Sequence, residues 1–327
     1  MDIGQVTHRY RPSIGGIENY VHRLNESLRA RGDTTRTFTT DLSLDGGAPV
    51  EDERVVYGRT TVAPMRNPLS VEQYRAVRES DCDVYHLHNL WFLATVAGAR
   101  AVPADAPTVL TVHSAEIANN SSLVRALNAA YRPLAQYVLD SVDHSFVQGE
   151  TERGRLLERF DVDPETVSVV PNGIVPEQCD VTEERVTAFH EEYGLDPSVP
   201  TLLYVSRLVP EKNPGVLVDA VTDHLAGRDL QAVVVGDGDS GFVAPLRSRA
   251  DDRVTFLSGL PDQDLQAAYH AADIFAFLGT WEGLPTVVLE AMNARLPVVS
   301  TPVGAVPDAV HDPANGRLLS TPPTAAG

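Results

Sequence analysis

The sequence predicts a doubly wound α/β protein with two parallel-sheet domains in tandem. Three observations carry that expectation: short β-rich runs recur along the whole chain, helical patterns separate them, and one turn-rich junction divides the alternation in two. The runs of the first half are Ile3–Thr7, Thr34–Thr40, Val84–His88, Thr108–His113 and Ser145–Gln148. Those of the second half are Thr201–Ser206, Gln231–Val235, Val254–Leu257, Ile274–Leu278, Val298–Ser300 and Arg317–Leu319. Most are continuous apolar runs, the pattern of parallel strands buried on both faces. Ile17, Val21, Leu24 and Leu28 follow steps of four, three and four, which predicts one apolar helix face, and Gly32 sits where a C-terminal cap belongs. A second helix is expected over Val216–Leu225. The junction is Val167–Val170 followed by Pro171-Asn172-Gly173, a strong turn signal. It predicts domains at residues 1–170 and 171–327, with a hinge near Pro171–Ile174 and the two sheets facing a cleft.

Charge narrows the function classes. The 327 residues carry 26 basic against 45 acidic side chains, a formal net charge of -19. Nucleic-acid binding needs a basic footprint, and this field has the opposite sign. The basic residues are 25 Arg and a single Lys, Lys212. An acidic, Lys-poor surface is the expected adaptation to high salt, where screening removes the self-repulsion. Cys82 and Cys179 form no disulfide framework and no metal-binding spacing. The opening MDIGQVTHRY lacks a signal-peptide layout, and the longest uncharged apolar-rich stretch, Leu90–Ala99, is too short for a membrane span. The expected location is cytoplasmic, with peripheral contact at the inner membrane face left open.

The stretch Thr280–Pro302 carries most of the chemistry. Glu282 and Glu290 are eight apart, and Gly283-Leu284-Pro285-Thr286 follows the first of them. Pro285 suits the first turn of a helix, whose free amides around Gly283–Val287 would present partial positive charge to an anion. Arg207 closes a buried strand and Lys212 follows five residues later, a plausible clamp for a diphosphate. Against the ordinary reading of surface cations, Lys212 is the one lysine that the composition keeps. Gly236-Asp237-Gly238-Asp239-Ser240-Gly241 matches G-x-G-x-x-G, but the acid expected at the end of the next strand is missing, which argues against a nicotinamide or flavin site. In the first half, Ile14-Gly15-Gly16-Ile17 lets the backbone approach a ligand ahead of a helix. His113 ends a strand and is followed by Ser114 and Glu116, while His86 and His88 share one strand face. A metal there would need a third ligand that spacing does not identify, and no Gly-x-Ser-x-Gly elbow supports a hydrolase serine.

Together these residues resemble a GT-B glycosyltransferase of family 4, also called glycosyltransferase group 1. The resemblance runs through Gly15-Gly16-Ile17-Glu18, Asp83-Val-Tyr-His86, Thr111-Val-His113, Val170-Pro-Asn-Gly173, Ser206-Arg207 with Lys212, Val235-Gly-Asp-Gly238 and the E-x7-E segment Glu282–Glu290. It implies two Rossmann-like domains, a nucleotide-diphosphate sugar donor held mainly by the C-terminal one, and a retaining transfer to a glycan, lipid or other hydroxyl acceptor. By resemblance Arg207 and Lys212 hold the diphosphate, Glu282 the transferred sugar and Glu290 the ribose hydroxyls. Gly283, Leu284, Pro285 and Thr286 contact sugar and phosphates, and Leu260 lies near the base. Gly15 and Gly16 approach the diphosphate from the N-terminal domain, and His113 lines the sugar and acceptor side. No cofactor and no catalytic metal are implied. Two departures are expected from the resemblance: Arg295 sits where the family usually has Gly, and the C-terminal domain is expected to lack the family's final helices. A non-catalytic sugar-nucleotide-binding protein and a sugar-nucleotide epimerase on the same fold are the alternative readings.

Overall fold

A computed structural model describes residues 1–13, 15–44, 47–115, 122–176 and 180–325, with the side chains of 122–125 left aside. Ile14, Glu116 and Cys179, named above, lie outside the described residues. The chain divides into two compact units, Met1–Pro171 and Asn172–Gly327.

The first unit runs β1 (Asp2–Val6), α1 (Gly16–Ala30), β2 (Thr34–Thr40), β3 (Val55–Gly58), α2 (Val71–Arg78), β4 (Val84–His88), α3 (Leu93–Ala101), β5 (Thr108–Val112), α4 (Ser122–Asp140), β6 (His144–Val147), α5 (Glu150–Arg159) and β7 (Val167–Val169). Its strands form one parallel sheet in the order β3-β2-β1-β4-β5-β6-β7. The core is built from the apolar runs themselves: Val6, Tyr85, Leu87, Leu110, Val112 and Val147 are fully buried. The order reverses between β1 and β4, so the carboxyl ends of those strands flank a topological switch point, the usual place for a ligand in such sheets.

The helix at Ile17 forms, but with a different buried face. Val21 is buried as expected, whereas Ile17, Leu24 and Leu28 are only half-buried and Glu18 and Asn25 take the inward places. Asn25 can be buried because its amide donates to the Thr37 hydroxyl at 2.9 Å. Leu24 and Leu28 instead line an open apolar hollow of about 410 Å³ with Tyr20, Phe146 and Val170. Strand β3 went unforeseen, since four residues at a sheet edge carry little periodic signal.

The second unit runs α6 (Glu183–Tyr193), β8 (Thr201–Val205), α7 (Pro214–Asp219), β9 (Gln231–Val235), α8 (Ser240–Arg249), β10 (Val254–Leu257), α9 (Asp262–His270), β11 (Ile274–Phe277), α10 (Thr286–Asn293), β12 (Val298–Ser300), α11 (Val306–Ala309) and β13 (Gly316–Leu318). The parallel order is β10-β9-β8-β11-β12-β13, with its switch point between β8 and β11. Expected boundaries shift by a residue or so; the helix expected over Val216–Leu225 ends as α at Asp219 and continues as a π turn over Ala220–His224. Arg295 has φ 65°, the left-handed conformation that Gly adopts without the cost of about 1 kcal/mol that a Cβ adds. Among the described residues no helix is long and apolar enough to cross a membrane.

Candidate functional site

The switch point of the second unit gathers the charged residues singled out from sequence. Strand β8 delivers Ser206 and Arg207 at its carboxyl end; the chain then turns through Pro210–Lys212 into α7. Asn213 makes that turn possible with φ 52°, and its amide donates to the Leu278 carbonyl at the end of β11 at 2.8 Å. The Tyr204 hydroxyl donates to the Lys212 carbonyl at 2.6 Å. Two neighbouring strands thus clasp the loop that carries the lysine.

Lys212 is only 5% exposed, although lysines rarely bury. Its ammonium lies 5.6 Å from the Phe277 ring centroid and donates to the Glu282 carboxylate, Oε1. Burial first, and then the neighbouring Arg207, push the ammonium down to about 8, with Glu211 acting the other way. Arg207 itself is exposed at the strand end.

The segment after β11 is fixed by its backbone. Thr301 donates from its hydroxyl to the Gly279 carbonyl at 2.5 Å, and the Thr280 amide donates to the Glu211 carbonyl at 2.9 Å. The Asn172 amide reaches the Leu284 carbonyl at 2.6 Å. The Ala305 amide donates to the Gly283 carbonyl at 2.8 Å. That approach requires Gly304: its φ is +53°, and a Cβ there would stand 1.8 Å from the Gly283 oxygen. Helix α10 starts at Thr286, so Pro285 caps it rather than occupying its first turn as expected. Gly283, Leu284 and Pro285 are buried, and Thr286 is half-buried. Glu290 lies one turn into the helix, 7% exposed, and accepts from the Tyr269 hydroxyl at 3.0 Å.

Lys212, Glu282 and the start of α10 therefore belong to one constellation, as do Arg207 on the same loop and Glu290 on the same helix. Leu260 follows β10 and packs, half-buried, on the apolar core that includes Tyr269 and Phe277. The G-x-G-x-x-G stretch has a structural use. Gly236, at φ +153°, lies where a Cβ would meet the Ser206 oxygen at 1.8 Å, so it lets the Arg207 loop pack against the end of β9. Asp239 caps α8 by accepting from the Gly241 amide at 2.9 Å.

The first unit has its own polar cluster. Gly15 precedes α1 in extended conformation and Gly16 opens the helix. His113, 8% exposed, follows β5 and lies among His88, Gln148 and Tyr20. His86 and His88 do share a face, with ring centroids 4.3 Å apart. Burial pushes His113 down to about 3, His86 to about 4 and His88 well below its usual value, so all three rings are neutral near pH 7. Among the described residues no three His, Cys, Asp or Glu side chains are grouped to hold a metal ion. Sequence reasoning missed the supporting residues Tyr269 and Gly304, and marked Asn172 as part of a turn and of the resemblance without its bond to Leu284. Of the two missed residues only Gly304 carried a signal, as a glycine just past a strand end.

Two parallel sheets, each with its polar groups gathered where the strand order reverses, are a GT-B architecture, and solved GT-B structures superpose on it. Anabaena HepE in complex with UDP-glucose matches with a TM-score of 0.76 at 20% identity, covering 100% of this chain and 87% of that one. Sucrose-phosphate synthase of Thermosynechococcus elongatus gives 0.78 at 20% identity, covering 99% and 86%. The chain belongs to glycosyltransferase family 4. The family model "Glycosyltransferase Family 4" matches residues 14–178, and "Glycosyl transferases group 1" matches residues 199–326. D-inositol 3-phosphate glycosyltransferase of Nocardia farcinica is 30% identical over 338 residues, covering 93% of this chain and 73% of that protein. The namesake of Mycobacterium sp. (strain JLS) is 31% identical over 248 residues; the match takes in 72% of this chain and 55%, little more than half, of the relative.

Proposed function

We propose that this chain is a retaining glycosyltransferase that moves a sugar from a nucleotide-diphosphate sugar to a hydroxyl acceptor on a glycan or lipid. The observation that carries this reading is the pairing of Lys212 with Glu282 beside the start of α10, at the switch point of the C-terminal unit. A buried ammonium, an exposed guanidinium earlier in the same loop and a helix start suit one kind of ligand: an anion with several oxygens. The HepE structure with UDP-glucose and the glycosyltransferase relatives support a nucleotide-sugar donor.

In this reading the diphosphate takes Lys212 from Glu282, which turns to a hydroxyl of the transferred sugar. Arg207 pairs with the second phosphate. The backbone of Gly283, Leu284, Pro285 and Thr286 borders sugar and phosphates, Glu290 accepts from the ribose hydroxyls, and Leu260 borders the base. The resemblance further assigns Gly15, Gly16 and His113 of the first unit to substrate binding. The acceptor hydroxyl attacks the anomeric carbon on the face that the diphosphate leaves. The anomeric C–O bond to phosphate breaks with its electron pair, and a phosphate oxygen takes the acceptor proton. Charge that develops on the diphosphate meets Lys212 and Arg207, which are already in place. No metal and no cofactor is assigned a step.

The test is transfer or hydrolysis of nucleotide sugars, followed by NMR of the product anomer. Turnover with inversion would refute the retaining assignment, and epimerised donor would point to the alternative on this fold. UDP binding has a predicted pH dependence. The folded, empty-handed Lys212 titrates near 8, and a bound diphosphate raises it, so binding takes up a proton above that pH. UDP affinity measured by calorimetry is expected to be flat below about pH 7 and to fall by about tenfold per unit above about 8. A flat profile through pH 9.5 would remove the ammonium from the binding step.

The charge of -19 with one lysine supports a protein adapted to a saline cytoplasm. Melting temperature is expected to rise steadily from about 0.1 M to 2 M KCl as screening shortens the Debye length from about 10 Å to under 3 Å. A melting temperature independent of KCl would refute the adaptation.

A further inference from the structure

The polar cluster of the first unit is a single chain of hydrogen bonds running across four strands. Gln5 lies in β1, His88 ends β4, His113 follows β5 and Gln148 follows β6, and these strands are neighbours in the sheet in that order. The bonds cross at the carboxyl ends of the strands, at the switch point. His88 Nε2 and Gln5 Oε1 are 2.7 Å apart, His88 Nδ1 and His113 Nε2 are 3.3 Å apart, and His113 Nδ1 and Gln148 Nε2 are 3.3 Å apart.

The donor and acceptor roles follow from the two ends. Gln5 Oε1 only accepts, so His88 carries its proton on Nε2. A neutral His88 then accepts at Nδ1, which makes His113 Nε2 a donor. A neutral His113 accepts at Nδ1, and the Gln148 amide donates to it. A second proton on either ring would set two donors against each other. Burial, and for His88 also the neighbouring His86, His113 and His8, disfavour that charge as well. From α1, Tyr20 packs edge-on against His113 at 4.9 Å and 84°. The bond at the Gln5 end is short, whereas both bonds to His113 are long, so His113 is the member that a ligand hydroxyl can most easily engage.

We propose that Gln5 and His88 are positioning residues that fix His113 as the Nε2–H tautomer, and that a substrate hydroxyl takes over the Nδ1 lone pair from the Gln148 amide, which holds it at 3.3 Å in this structure. The inference rests on the functional reading above for the identity of that substrate. It makes His113 a neutral hydrogen-bond acceptor that orients a hydroxyl and keeps no proton from it. Gln5, fully buried, is retained for its carbonyl even though its Nε2 has no partner among the described residues.

The experiment is long-range ¹H–¹⁵N NMR on the full chain labelled with ¹⁵N-histidine, with resonances assigned by comparison with the H113N and H88N spectra. The expected result is neutral Nε2–H rings for His113 and His88 at every pH from about 5 to 8. Nδ1–H on both rings, or tautomer averaging, overturns the proposal without reference to any substrate. Gln148→Glu sets a carboxylate against Nδ1, which demands a proton there. Its spectrum is expected to show His113 as the Nδ1–H tautomer or the imidazolium. With the donor that the wild type turns over, kcat of this variant is expected to fall about tenfold, the worth of one hydrogen bond, with the donor KM within about twofold. Gln148→Leu, which removes the amide and adds no charge, is expected to leave His113 as the Nε2–H tautomer, because His88 Nδ1 still accepts from it, with kcat close to the wild-type value. An altered tautomer with wild-type kcat overturns the positioning role. A wild type that turns over no nucleotide sugar refutes the functional reading alone, because the tautomer result stands without it.

Discussion

Lys212→Ala is expected to lower sugar transfer, and donor hydrolysis, by about 10²–10³-fold, the usual loss when one preorganised donor to a developing charge is removed. The size of the effect comes from burial. Lys212 sits at 5% exposure over the Phe277 ring, where water cannot replace the ammonium. Lys212→Arg is expected to rescue little. The side chain passes close to Gly279, whose added Cβ would stand 3.6 Å from the lysine Cδ, and a planar guanidinium needs more width there than an ammonium. UDP binding should weaken in both variants, and Lys212→Ala should also leave the Glu282 carboxylate without its lysine partner. Steady-state kinetics with the preferred donor decide the matter, and wild-type turnover by Lys212→Ala would take this residue out of the mechanism.

Gly304→Ala is expected to be the most damaging change outside the charged residues. Its φ of +53° costs a side chain about 1 kcal/mol, and the new Cβ would lie 1.8 Å from the Gly283 oxygen and 2.3 Å from that of Glu282. Something must move, and the Ala305–Gly283 hydrogen bond that aligns the start of α10 is the nearest thing to yield. Displacing the Gly283 backbone by an ångström is expected to cost about 10²-fold in turnover. A destabilisation of about 2–3 kcal/mol would lower the melting temperature by about 4–12 °C in a unit of this size. Gly227→Ala is the control: no atom lies within 4 Å of its added Cβ, and it should melt and turn over as the wild type does. A Gly304→Ala protein with unchanged kinetics would mean that the Gly283 backbone touches nothing in the reaction.

The sheets were legible because their strands are buried on both faces, which leaves uninterrupted runs such as Thr201–Ser206 and Gln231–Val235 in the sequence. Arg207, Lys212 and Glu282 could be singled out in the sequence because Arg207 follows a strand end, Lys212 lies in the loop after it and Glu282 stands just ahead of a helix start. The pairing of Lys212 with Glu282 was not legible, since the two lie 70 positions apart and are brought together by the parallel neighbours β8 and β11. The same holds for the histidines. Spacing put His86 and His88 on one face, but only the sheet order brings Gln5, 83 residues from His88, into line with it. The face of α1 was misread because periodicity counts apolar residues, while Asn25 is accepted inside through its bond to Thr37. Edge strand β3 was too short to announce itself.

The solitary lysine also makes the protein a convenient chemical reporter. A reagent that acylates ε-amino groups finds one target in 327 residues, and that target is shielded, with a pKa of about 8. Such a reagent would mark Lys212 more slowly whenever a phosphate covers it, so mass spectrometry of a single peptide would read out occupancy without any engineered label.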